Sequence, residues 1–188
     1  MSKAYYLNKI MSREDVRFWT KPLGSRTGKP APIAFTSGAF DILHPGHIEY
    51  LYRAARLDSE FKYPCPLVVG INSDESVRKY KKPNIVPRPF NSLEYRIQTI
   101  AALGCVDYVF PFEEEDNNEN IEILRPRYYI KGGDYTKDKL KSAPFVESYG
   151  GQVVIIPITE NYSTTEIMRR LVNEARNLQQ NNDGERLL

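Results

Sequence analysis

The chain has 188 residues, with 26 Lys and Arg against 24 Asp and Glu, two cysteines and two histidines. That length suits one domain with short extensions and room for a proper core. A net charge of +2 supplies no global field for nucleic acid or an anionic membrane, although a local cluster could still draw a small anion.

Cys65 and Cys105 lack CxxC spacing and follow no secretory signal, so both are expected to be reduced, buried thiols of a cytoplasmic protein. No uninterrupted apolar run approaches membrane-spanning length. Residues 1–30 read as an N-terminal extension with a short helix, capped by Ser12 and turning Val16, Phe18 and Trp19 toward the body. The loop "GSRTGKPAP" invites comparison with a phosphate loop. Its glycine spacing is one short and Pro30 stands where a hydroxyl should hold magnesium, so that reading is rejected.

From residue 31 the pattern becomes regular and continues to 176. "PIAFT" is a short apolar strand, and after the turn "SGAFDILHPGH" a helix places Ile48, Leu51, Ala54 and Ala55 on one stripe. "PLVVGIN" is a buried strand, "SDESVRKY" a short helix, and "KKPNIVPRP" a loop. Asn91 with Glu94 three residues on marks the cap of the helix "SLEYRIQTIAAL". "DYVFPF" is the third strand, and the acidic "EEEDNNEN" leads into a helix at "IEIL". "RYYIK" and "GGQVVIIPI" hold the fourth and fifth strands, and "STTEIMRRLVNEARNL" is the last helix. Residues 177–188 read as a frayed tail. Strands of nearly continuous apolar residues, alternating with helices, predict an α/β fold. It is a Rossmann-like, doubly wound parallel five-stranded sheet with helices on both faces.

In such sheets the ligand crevice lies beyond the C-terminal strand ends. "SGAFDILHPGH", "NSDESVRKYKKP", "KGGDY" and "ENYSTT" all follow strands. Both histidines, His44 and His47, fall in the first of these, beside a helix start at Gly46 or His47 whose amides and dipole suit an anion. Pro45 fits a first helical turn, and Gly46 lets backbone and ligand approach closely. Asp41 is placed to hold the turn or to meet a cation. A transition metal on His-x-x-His is the competing chemistry, but a third strong ligand at the expected spacing is missing. Two histidines satisfying loop carbonyls is the plain structural alternative; the Gly, Pro and strand-to-helix context favours phosphate.

"GAFDILHPGH" resembles the GxFDxxHxGH (HxGH) signature of the cytidylyltransferase-like nucleotidyltransferase superfamily. With "NSDESVRKYK", "RPFNSLEYRIQTIAAL", "VDYVFPFEEE", "YYIKGGDY" and "STTEI" in this order, the chain resembles the adenylyltransferase domain of ADP-heptose synthase, from about Lys9 to Leu171. The resemblance implies an enzyme that moves AMP from ATP to a sugar 1-phosphate, such as D-glycero-D-manno-heptose 1-phosphate. Pyrophosphate leaves, and the ADP-sugar is a lipopolysaccharide precursor.

It also implies site roles. His44, His47, Lys79 and Lys81 would act on the phosphates. Ser37, Gly38, Ala39, Phe40, Asp41, Gly46, Arg96, Lys131, Gly132, Ser163, Thr164 and Thr165 would bind the nucleotide, and Arg88 and Asp134 the acceptor. Magnesium would be the cofactor, bound through phosphates rather than by protein ligands.

Plainer readings stand beside several of these. The basic run Arg78, Lys79, Lys81 and Lys82 could be a solvated helix end. Arg96 could pair with Glu94 or Glu122, and Ser163 through Glu166 has the spacing of an N-cap box. The chain departs from glycerol-3-phosphate cytidylyltransferases in lacking an arginine ahead of "STT". A cytidylyltransferase acting on an alcohol phosphate and a non-catalytic nucleotide sensor are the alternatives. An RNA-binding module lacks a basic face with interleaved aromatics. Expected partners are therefore ATP and a sugar phosphate, with no nucleic acid and no membrane; a homodimer is compatible with the sequence.

Overall fold

Five parallel strands, each apolar on both sides, form one sheet in the order β3-β2-β1-β4-β5. They are β1 (Ala34–Gly38), β2 (Leu67–Asn72), β3 (Tyr108–Phe112), β4 (Tyr128–Gly132) and β5 (Gln152–Ile156). The computed structural model describes residues 4–19, 32–57, 65–80, 87–133, 135–157 and 162–185, with the side chains of residues 19 and 180–185 left aside. The helices are α1 (Arg13–Trp19), α2 (Pro45–Ala55), α3 (Asp74–Tyr80), α4 (Leu93–Ala101), α5 (Asn118–Leu124), α6 (Ala143–Ser148) and α7 (Thr164–Glu185). Short 3-10 turns span Tyr5–Lys9 and Lys137–Lys139.

Alternate strand residues point to opposite faces, and each face carries its own core. On one, Ala34, Val69, Ile71 and Ile130 pack against Tyr50, Leu51 and Ala54 of α2 and Ile97 and Ile100 of α4. On the other, Phe35, Val68, Phe110 and Tyr129 pack against Val16 of α1, Ile121 and Leu124 of α5 and Val146 of α6. Phe35 stacks on Phe110 and Tyr129, with ring centroids 5.8 and 5.9 Å apart. The expected two-faced α/β sheet is therefore present.

β3 is an edge strand, and Pro111 sits in it where a missing N–H is tolerated. The N-terminal segment covers that edge. Ile10 bridges Val109, and Met11 N–H donates to the Val109 carbonyl at 3.1 Å. The Lys9 ammonium donates to the carbonyls of Leu103 and Val106 at the end of α4. Arg13 joins α1 to α5 through Glu114 and Glu119, both at 2.6 Å.

Several local expectations need correction. Phe18 is 60% exposed, whereas Val16 on the same helix is fully buried. In α2 the buried stripe runs through Tyr50 rather than Ile48, since the Tyr50 hydroxyl finds a buried partner in Thr36 at 2.6 Å. Ser92, not Asn91, caps α4, receiving the Tyr95 N–H. Asn91 instead donates its side-chain amide to the Asp41 carbonyl at 2.7 Å. α7 continues to Glu185, well into the segment expected to fray, and α6 was not anticipated. Cys65 is buried and Cys105 half-buried, both as free thiols. No helix among the described residues is long and apolar enough to cross a membrane.

Candidate active site

A cavity of about 510 Å³ lies beyond the C-terminal ends of the strands. β1 neighbours β2 on one side and β4 on the other, so this is the switch point of the sheet. Two walls of different chemistry meet there.

The first wall comes from α2 and α7. His44 is the N-cap of α2: its Nδ1 accepts the His47 N–H at 3.3 Å, while its carbonyl takes the same N–H at 2.9 Å. Accepting at Nδ1 leaves the proton on Nε2, the nitrogen that can donate elsewhere. Burial lowers the His44 pKa below its ordinary value, which keeps the imidazole neutral at neutral pH. The His44 and His47 rings stack with centroids 3.7 Å apart, and the ring of Phe40 meets His47 edge-on at 5.3 Å. Gly46 is the close approach in this turn. A Cβ there would lie 3.2 Å from both His44 Nδ1 and Tyr162 Cβ.

The N-terminus of α7 converges on the same place. Ser163 caps it by accepting the Glu166 N–H at 3.1 Å, and Thr164 donates its hydroxyl to the Ile42 carbonyl at 3.4 Å. Ser163, Thr164 and Thr165 all line the cavity. Two helix N-termini, each with a positive dipole end, thus face one space beside two imidazoles.

Asp41 is the carboxylate nearest this wall in sequence, and it is already saturated. It accepts from Arg88 Nε at 2.6 Å and from the backbone N–H groups of Phe90 and Asn91 at 2.9 Å, with its side chain fully buried. It fastens the segment 88–91 to the β1 loop. Among the described residues no three His, Cys, Asp or Glu side chains cluster to hold a metal ion.

Lys131, near the end of β4, lies where the walls meet. Its ammonium donates to Ser37 Oγ at 3.3 Å and sits over the Tyr129 ring, and burial lowers its pKa to about 8. Gly132 beside it leaves room for the Tyr50 ring, 3.0 Å from where a Cβ would stand.

The second wall comes from α3 and the loop after β3. Asn72, Ser76, Tyr80, Glu115 and Asn117 face the cavity there. Sequence reasoning passed over Glu115 and Asn117, although the rule that pointed to the other strand-end loops applies equally to the loop after β3.

The structure brings together most of the expected site: Ser37, Gly38, Ala39, Phe40, Asp41, His44, Gly46, His47, Arg88, Lys131, Gly132 and the Ser163–Thr165 run all line the cavity. Two of the expected residues lie outside the cavity lining. Lys79 does not line it; the phase of α3 turns Ser76, Val77 and Tyr80 inward, and the exposed Lys79 ammonium lies over the Tyr80 ring. Arg96 lies beneath the site rather than in it, fully buried. It donates to the carbonyls of Ala39 at 2.6 Å, Asn72 at 2.8 Å and Asn91 at 3.1 Å, and to Asp74 at 2.7 Å. Lys81 and Asp134, like the loop "GSRTGKPAP", lie outside the described residues.

The cytidylyltransferase-like family profile matches residues 35–170. The chain is 41% identical to a D-beta-D-heptose 1-phosphate adenylyltransferase of Bordetella bronchiseptica, over 91% of this chain and 98% of that one. It is 42% identical, over 89% of its length, to the bifunctional protein HldE of Syntrophotalea carbinolica, of which it spans 32%. A lipopolysaccharide core biosynthesis protein from Thermoplasma volcanium superposes with a TM-score of 0.54 at 27% identity, covering 70% of this chain and 98% of that one. The chain therefore belongs to the cytidylyltransferase-like family and is a nucleotidyltransferase.

Proposed function

We propose that the enzyme transfers AMP from ATP to D-glycero-D-manno-heptose 1-phosphate, forming an ADP-heptose and releasing pyrophosphate. The observation that carries this reading is the match to the Bordetella bronchiseptica heptose 1-phosphate adenylyltransferase, which extends over nearly the full length of both chains. The donor-rich wall of the cavity supports it, because helix N-termini and imidazole N–H groups offer hydrogen bonds to the oxygens of a triphosphate.

An oxygen of the acceptor phosphate attacks the α-phosphorus while the bond to the pyrophosphate oxygen breaks in line. That oxygen is already ionised at neutral pH, so no protein base is required. The protein acts by positioning and by stabilising the added charge. His44 Nε2 and His47 donate to the phosphates, together with the α2 and α7 N-termini, and Ser163 and Thr165 bind alongside. Lys131 supplies a cation where the two substrates meet. Arg88, held by Asp41, faces the acceptor phosphate, and Arg96 fixes the loop carrying Ala39 and Phe40. Lys81 and Asp134 belong to the same expected set. Magnesium, entering with the nucleotide, would neutralise phosphate charge through the phosphate oxygens.

The test is pyrophosphate release with magnesium, crossing ATP and CTP with heptose 1-phosphate and glycerol 3-phosphate. Turnover with ATP and the heptose is expected. Turnover with CTP and glycerol 3-phosphate alone would overturn the reading.

A further inference from the structure

The chain carries an acidic run, Glu113 to Asp116, directly after β3, and its four carboxylates have different surroundings. Glu114 is bound by Arg13 at 2.6 Å, outside the cavity. Asp116 accepts from the backbone and the side-chain amide of Asn118, both at 2.9 Å. Glu113 is exposed and does not line the cavity. Glu115 alone of the four lines it, next to Asn117.

Sheet order says which substrate Glu115 would meet. The helices whose N-termini line the cavity, α2 and α7, follow β1 and β5, so they bracket the β1-β4-β5 half of the sheet. A triphosphate drawn to both N-termini lies over that half. The β2-β3 half, with Asn72, Ser76, Tyr80, Glu115 and Asn117, remains for the second substrate. A carboxylate is repelled by phosphates but is a strong acceptor for hydroxyl groups. Amide, hydroxyl and phenol groups on the same wall offer hydrogen-bonding partners suited to a polyol, while Lys79, which does not line the cavity, is a cation close enough to feel the Glu115 charge.

We infer that Glu115 accepts hydrogen bonds from hydroxyl groups of the acceptor, making the β2-β3 wall the surface that selects a polyhydroxylated sugar phosphate over a short alcohol phosphate. This rests on the adenylyl-transfer reading above. A site built to hydrogen-bond a substrate hydroxyl discriminates strongly against ligands that lack it, because its own polar groups are then left unpaired.

The experiment measures pyrophosphate release by the wild type, Glu115→Gln, Glu115→Ala and the control Glu113→Gln, varying heptose 1-phosphate at saturating ATP and ATP at saturating heptose. ATP binding is followed separately by calorimetry without acceptor. KM for the heptose is expected to rise about tenfold in Glu115→Gln and roughly a hundredfold in Glu115→Ala. ATP affinity should stay within about twofold, and Glu113→Gln should behave as wild type. Preference for the heptose over glycerol 3-phosphate should shrink by the same factor. An unchanged acceptor KM in an active Glu115→Ala enzyme would overturn the inference while leaving the reaction standing. A rise in the ATP Kd instead would assign this wall to the nucleotide and overturn it too. A wild type that turns over neither acceptor with ATP would remove the reaction itself, and the inference with it.

Discussion

Lys131 donates its ammonium to Ser37 Oγ across the β4-β1 junction, at 3.3 Å. Among the described residues little else satisfies that charge: the ammonium sits over the Tyr129 ring, and burial brings the pKa down to about 8 from 10.5. A cation held in this way is poised for an anionic ligand.

Ligand binding should therefore depend on pH in a defined direction. In the absence of ligand, Lys131 loses its proton near pH 8, whereas a bound phosphate favours the charged form and raises the pKa. Nucleotide or acceptor affinity is expected to fall as pH rises through 8, and binding near pH 8 should take up a proton. Calorimetry in buffers of different ionisation enthalpy reads that proton directly. Lys131→Met should abolish the uptake.

The same shift has a stability consequence of opposite sense. With a folded pKa below the unfolded value, the unfolded chain binds more protons between about pH 8 and 10.5, so folding stability from this residue rises across that window. Lys131→Met, which removes a buried charge, is expected to raise the melting temperature at pH 7 while lowering activity. Stability gained where function is lost is the usual mark of a site residue.

Gly46→Ala separates site geometry from helix stability. Alanine is the better helix former by ~1 kcal/mol, yet its Cβ would stand 3.2 Å from His44 Nδ1 and Tyr162 Cβ. The imidazole must shift by a few tenths of an ångström. Turnover should fall at least tenfold with a melting temperature within a few degrees of wild type, measured by pyrophosphate release and by calorimetric scanning.

Arg96 is expected to behave as a structural hub. Arg96→Ala leaves three carbonyls and the partly exposed Asp74 carboxylate without this fully buried donor, at a cost of about 3–5 kcal/mol. Arg96→Lys should recover little, because an ammonium cannot reach the fan of carbonyls that the planar guanidinium spans. Urea unfolding of both variants checks this.

Much of the fold was legible because parallel strands buried on both faces read as continuous apolar runs, as "LVVGIN" and "YVFPF" do. The His turn was legible because Pro45, Gly46 and two histidines follow a strand. What failed was phase and competition. In α3 a shift of one residue exchanges Lys79 for Tyr80, and a short helix has too few turns to fix it. At the start of α4, Asn91 and Ser92 are both good caps; Ser92 caps because Asn91 is taken by the Asp41 carbonyl, a partner 50 positions away. Arg96 looked like a nucleotide contact because sequence cannot distinguish a guanidinium facing a cavity from one beneath it. Glu115 was hidden inside an acidic run in which Glu114 and Asp116 are taken by Arg13 and Asn118.

The central claim is that the α2 turn stabilises the charge that develops in phosphoryl transfer. His44→Asn tests it most directly, because asparagine keeps an N-cap for α2 while removing the Nε2 donor. The account predicts a kcat at least a hundredfold lower in pyrophosphate release with ATP and heptose 1-phosphate, with stability within about 1 kcal/mol of wild type. A variant that folds equally well and turns over at the wild-type rate would contradict it.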